Sequence, residues 1–232
     1  GDTDNDGLLD LISAPDGLIF HTGRRGDNNS WEPLSRAWRT FGTALTEYTL
    51  MFDANGDGYT DVLGFTDGDE LELGLWLFNS NDDGTTLQTG SAHEFGSATA
   101  KGLVMCGDYI FALTENDNGT TISRISIVGG DSVDQEDWTS TTGSVLACGT
   151  FIEGNTGVVV STLTGDWLGY NTNLKEKDKG YLAAVSEIAL ADTDGDSNGE
   201  VIGCEGNCAI LAADFDGDGM DEVVTRTNAG IA

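Results

Sequence analysis

Four short stretches of this 232-residue chain repeat one spacing of acidic and amide side chains, and that spacing limits what can surround them. They read DTDNDGLLD from Asp2, DANGDGYTD from Asp53, DTDGDSNGE from Asp192 and DFDGDGMDE from Asp214. Positions 1, 3, 5 and 9 hold Asp2, Asp4, Asp6 and Asp10; Asp53, Asn55, Asp57 and Asp61; Asp192, Asp194, Asp196 and Glu200; and Asp214, Asp216, Asp218 and Glu222. Of these sixteen positions only Asn55 is uncharged, so fifteen of the 40 Asp and Glu residues fall on one template. A charge cluster that recurs at fixed spacing is not a solvated face.

Carboxylates crowded this closely repel one another unless a cation sits among them. Ca²⁺ takes six to eight oxygen ligands at about 2.3–2.6 Å in a forgiving geometry, whereas Mg²⁺ keeps several waters and demands a stricter octahedron. Side chains at positions 1, 3 and 5 point into a tight loop, and the glycines accept the positive φ that the turn requires. Position 7 contributes its backbone carbonyl, so its side chain is unconstrained; here it is Leu8, Tyr59, Asn198 or Met220. The acid at position 9 closes the shell, and four Ca²⁺ sites are expected.

An EF-hand begins in the same way but needs a bidentate Glu at position 12 and a helix on each side. Position 12 holds Ser13, Gly64, Gly203 and Thr225. The flanks are short β-rich apolar runs, TEYTLMF before and DVLGF after one loop, SEIALA before and EVIGC after another. Each loop is therefore expected to join two strands, which argues against EF-hand and dockerin folds.

The strand–DxDxDG–strand unit resembles the FG-GAP, or VCBS, repeat of integrin-α-like calcium-binding β-propellers. Degenerate copies extend the resemblance along the chain. ACGTFIEGNTGVVVST sets Gly149, Phe151, Glu153 and Gly157 at positions 1, 3, 5 and 9, and LVMCGDYIFALT is a shortened copy around Gly107. Neither is expected to hold calcium. Repeat starts near residues 2, 53, 107, 149, 192 and 214 give spacings of 42 to 54 residues, suitable for four-stranded blades, except for the last. From 192 to 214 the spacing is too short, so one blade is abbreviated to two strands or a split closing blade is completed from elsewhere. The resemblance thus implies an all-β fold class, with residues 1–232 forming a single propeller domain. Such propellers usually have seven blades; this chain supplies roughly five and a remainder, and a neighbouring domain or chain is expected to complete the ring.

The resemblance also implies a secreted or cell-surface module serving adhesion, assembly or extracellular ligand binding, with an extracellular protein or glycan as partner and no catalysis. Composition agrees on the partners it excludes. With 10 Lys and Arg and a formal net charge of −30, the chain lacks the clustered cations that phosphate binding needs, and nucleic acid is not expected. No apolar run approaches the roughly 18 residues of a membrane-spanning helix. No leader is visible, but the first residues already lie inside a motif, so the chain reads as a processed product or a piece of something longer.

Cys204 and Cys208, separated by Glu-Gly-Asn, read as a hairpin tip closed by a disulfide, which implies an oxidising compartment. Zinc would need four good N or S ligands, and His21 and His93 have no Cys or His neighbours in sequence. Cys106 and Cys148 follow similar apolar runs and each precedes a glycine, so they are either paired across two repeats or buried as thiols. Asn28 and Asn118 begin glycosylation sequons, relevant only in a secreted protein.

Rival readings rest on fewer residues. Some polysaccharide lyases and hydrolases resemble this fold and use calcium, but the chain has only two histidines and no Gly-x-Ser-x-Gly elbow, and metal binding already accounts for its acids. A lectin would stack sugars on Trp31, Trp38, Trp76, Trp138 or Trp167, although Trp in strand-rich repeats is more often core. Arg25-Gly26-Asp27 resembles the integrin-recognition tripeptide; chance is the default explanation of three residues.

Overall fold

A computed structural model describes residues 11–13, 19–21, 23–25, 31–33, 45–66, 68–78, 88–150, 156–183, 185–196, 199–206, 208–216, 219–227 and 230–231. The described residues are all-β, without a helix, and form several antiparallel sheets. Two short hairpins come first: β1 (Leu11–Ser13) with β2 (Ile19–His21), and β3 (Gly23–Arg25) with β4 (Trp31–Pro33). The Asp2 loop and Gly26, Asp27, Asn28 and Trp38 lie outside the described residues.

The next sheet has β5 (Leu45–Phe52), β6 (Asp61–Thr66), β7 (Leu71–Leu77) and β8 (Gln88–Thr89) in order, with β9 (His93–Gly96) also pairing with β7. Then come β10 (Thr99–Cys106), β11 (Tyr109–Asn116), β12 (Gly119–Val128) and β13 (Ser132–Thr141) as one four-stranded meander. A second is formed by β14 (Val145–Thr150), β15 (Thr156–Ser161), β16 (Asp166–Asn171) and β17 (Glu176–Tyr181). Where the repeat spacing is short, β18 (Glu187–Ala191) and β19 (Glu200–Cys204) make a sheet of two strands; β20 (Cys208–Ala213), β21 (Glu222–Thr227) and β22 (Gly230–Ile231) follow.

The chain divides into two compact units, residues 1–100 with 126–134, and residues 101–125 with 135–232. In the first, β6 and β7 are buried along most of their length, as continuous apolar runs in a sheet covered on both faces should be. Leu45, Val62, Trp76 and Phe78 form one cluster, with Met51 and Tyr59 against it. Phe95 on β9 meets Phe65 edge to face, with ring centroids 5.7 Å apart.

In the second unit β15 separates two clusters by its period of two. Val158 and Val160 pack with Phe111, Leu113 and Ile122 of the preceding sheet, while Val159 packs with Ile188 and Leu190 of β18. Three successive sheets thus stack face to face. Their first strands approach closely where glycine stands: a Cβ at Gly102 would lie 2.9 Å from the Leu146 Cβ, and one at Gly149 would lie 2.7 Å from the Leu190 Cβ. Cys106 and Cys148, both on first strands, are paired across this stack with Cα atoms 5.7 Å apart.

Cys204 and Cys208 are also paired, with Cα atoms 6.4 Å apart, but not at the hairpin tip expected from sequence. β19 pairs with β18, and β20 pairs with β21, so this disulfide closes the link between two sheets. β20 lies against β18 rather than beside β19 in a ladder. Two such pairs are compatible with an extracellular protein, and no helix among the described residues is long and apolar enough to cross a membrane.

Candidate metal centre

Each described acidic loop connects the first and second strands of its sheet: residues 53–61 join β5 to β6, 192–200 join β18 to β19, and 214–222 join β20 to β21. The degenerate copies occupy the same place, with Gly107 between β10 and β11 and Gly149 near the end of β14. The motif marks one structural position whether or not its acids survive.

In the loop at 53–61, backbone N–H groups converge on the acids. Asp53 accepts from Gly56 N at 2.7 Å, Asp57 N at 3.1 Å and Gly58 N at 2.9 Å. Asn55 Oδ1 accepts from Asp57 N at 2.9 Å, and Asp57 Oδ1 accepts from Tyr59 N at 3.0 Å. Gly56 and Gly58 carry φ of 77° and 90°, the left-handed turns that expose these N–H groups to the position 1 side chain. The other two loops repeat part of the pattern: Asp192 accepts from Gly195 N at 2.8 Å, and Asp214 accepts from Gly219 N at 3.1 Å.

One bond is common to all three. The position 9 acid accepts from the N–H at position 2: Ala54 to Asp61 at 2.9 Å, Thr193 to Glu200 at 2.9 Å, and Phe215 to Glu222 at 2.7 Å. The last acid therefore fastens the start of the loop to the start of the second strand, a role that reading it only as a cation ligand had missed. The seven-residue separation is the signal that the sequence carries for it.

The loops differ in what remains for a cation. Asp192, Asp194 and Glu200 bring ligand atoms within 4.8 Å of one another, and so do Asp214, Asp216 and Glu222. Unneutralised charges at that range repel by roughly 1–3 kcal/mol per pair for effective dielectrics between water and protein surface. These donor sets fit a hard, oxygen-seeking cation. At 53–61, Asp61 is fully buried and its second oxygen accepts from Phe78 N at 2.9 Å, so both oxygens serve the backbone. Burial pushes its pKa from 3.8 up to about 6, the Phe78 and Ala54 N–H groups pull the other way, and the charges of Asp57 and Asp53 add to the rise. The Asn55 amide also donates to Asp57 Oδ2 at 3.2 Å, meeting that carboxylate with a neutral donor. Asn198 and Asp218 lie outside the described residues.

The loops at 192 and 214 touch. Asp221 Oδ2 accepts from Asp192 N at 2.9 Å and Asp221 N donates to Asp192 O at 2.6 Å, while Met220 covers Gly195. Asp221 sits at position 8, outside the template, and nothing in the spacing singles it out.

The described tryptophan and sequon candidates lie on strands and in a strand turn. Trp76 is core and lies over Gly74, and half-buried Trp167 lies over Gly180, each where a Cβ would collide with the indole. Trp138 is 60% exposed on β13, and Asn118 is exposed in the turn between β11 and β12.

No family model matches the chain, and no curated protein is similar to it. Among solved structures it is similar to the crystal structure of Saccharomyces cerevisiae Sqt1, with 10% identity and a TM-score of 0.51 over 99% of this chain and 81% of that one. At this identity the likeness concerns the fold alone.

Proposed function

We propose that the chain is an FG-GAP-type β-propeller module, its successive sheets serving as blades, that binds Ca²⁺ in its acidic loops and works outside the cell in adhesion, assembly or ligand binding without catalysis. The observation that carries the calcium reading is the convergence of three carboxylates in each of the loops at 192–200 and 214–222, at the same place between first and second strands. The blade reading is supported by face-to-face packing of consecutive sheets in the second unit and by the close approach of their first strands. Asp192, Asp194, Asp196 and Glu200, and Asp214, Asp216, Asp218 and Glu222, would hold the ions, which neutralise the loops and tie first strand to second. Asp2, Asp4, Asp6 and Asp10 are assigned the same role by their spacing. Two disulfides agree with an oxidising location.

The test is metal analysis and thermal unfolding of the whole chain. Elemental analysis should find calcium retained through gel filtration, and EDTA should lower the melting temperature, with recovery on adding Ca²⁺ and little recovery with Mg²⁺. Asp218→Ala should remove one ion. Equal melting temperatures with and without EDTA, in protein that holds no calcium, refute the reading.

A further inference from the structure

In the first unit, β5 departs from regular pairing at one place. Leu45 pairs with Thr66 and Thr49 with Gly64, so β5 spends three residues, Thr46, Glu47 and Tyr48, where β6 spends only Phe65. Bulges of this kind re-aim side chains and often lie beside binding sites. This one is built in: a Cβ on Gly64 would lie 3.0 Å from Thr49 Oγ1 and 3.3 Å from Leu45 Cδ1, so glycine lets the strand bow outward. The three bulged residues form one wall of an open cavity of about 440 Å³, completed by Thr66, Leu71 and Thr99 among others.

We infer that this cleft is a binding site for a neutral saccharide residue. Its volume suits one or two sugar rings, being near the low end of the range for small-molecule sites, about 300–1,000 Å³. Its chemistry suits hydroxyl groups, each of which both donates and accepts. Thr46 Oγ1 accepts from Tyr48 N at 3.3 Å, which leaves its hydroxyl hydrogen to donate. Thr66 Oγ1 donates to Glu72 O at 3.4 Å, which leaves its lone pairs to accept. The exposed Glu47 carboxylate can accept from two hydroxyls at once, and half-buried Tyr48 adds aromatic surface to the lining. Anions are disfavoured, because Glu47 is negative and the chain carries −30. The inference deepens the extracellular-binding reading and rests on it only for the class of partner.

The test is ligand-observed saturation-transfer NMR on the full chain, using methyl glycosides of glucose, galactose, mannose and N-acetylglucosamine, with sialic acid and choline as anionic and cationic probes. At least one methyl glycoside should receive saturation. Tyr48→Ala should weaken it about tenfold and Glu47→Gln several-fold, the loss of aromatic lining surface and of one charge-assisted acceptor. Trp138→Ala, in the other unit, should leave it unchanged. Glu47 is exposed, so Glu47→Gln keeps the test decisive if Tyr48→Ala does not fold. Saturation of sialic acid or choline alone, of no probe, or of a glycoside insensitive to both cleft variants overturns the inference. Calcium binding with no glycoside binding refutes the cleft alone; glycoside binding with no calcium effect refutes the metal reading alone.

Discussion

The loops at 53–61 and 214–222 share a template, yet they use their last acid differently. Asp61 is fully buried and gives both oxygens to backbone N–H groups, one at Ala54 and the other at Phe78 beyond the end of β7. Glu222 lies in the thinly covered last sheet, spends one oxygen on Phe215 N and stands within ligand distance of Asp214 and Asp216. Burial thus leaves the last acid of one loop with both oxygens on backbone donors, and the last acid of the other beside two further carboxylates.

The strongest way to break this contrast is to remove the last acid from each loop in calcium-free buffer. Asp61→Ala leaves two N–H groups without acceptors, one of them buried, and should cost about 3 kcal/mol of unfolding free energy. Glu222→Ala removes one exposed bond and should cost about 1 kcal/mol or less in that buffer. Denaturant melts that rank the two equally would defeat the contrast.

Calcium should reverse the ranking of dependence. At a hundredfold excess over Kd each occupied loop gains about 2.7 kcal/mol, and Asp194→Ala or Asp216→Ala should each abolish one such increment. Asp57→Ala should change the calcium increment much less. A calcium titration followed by melting temperature reads all three variants, and the contrast collapses if Asp57→Ala loses as much as the others.

Asn55→Asp sharpens the comparison from the other side. It restores the missing acid beside Asp53 and Asp57, so calorimetry should find the affinity of that loop raised by about tenfold, with a small loss of stability when metal is absent. No change in the calcium isotherm would mean that Asp61, rather than Asn55, limits this site.

The smallest effect concerns the bridge between the paired loops. Asp221→Ala removes the acceptor of Asp192 N and should cost about 1 kcal/mol, while weakening calcium at 192–200 more than at 214–222. Equal weakening of both, measured by calorimetry in the Asp194→Ala and Asp216→Ala backgrounds, would show that the bridge is not specific to Asp192.

Much of the site was legible because its information is local. Nine residues hold the spacing, the glycines that take positive φ, and the apolar flanks that become first and second strands; none of this needs a distant partner. The seven-residue bond from position 2 to position 9 is equally local, but it is hidden by the stronger reading of position 9 as a ligand. Asp221 was not legible at all, because its partner is 29 residues away and depends on how two successive sheets lie against each other.

The sequence by itself therefore determined the strands that flank the loops, the places of the loops and the acids that three of them present, through short apolar β-rich runs and short-range hydrogen bonding. Tertiary structure decided the rest. It paired Cys106 with Cys148 by stacking two first strands, and moved the Cys204–Cys208 bridge from a hairpin to a link between sheets. It also buried Asp61 and gave each of its oxygens a backbone donor. Each of these outcomes turns on which surfaces meet, a matter of long-range packing that the local pattern of residues does not encode.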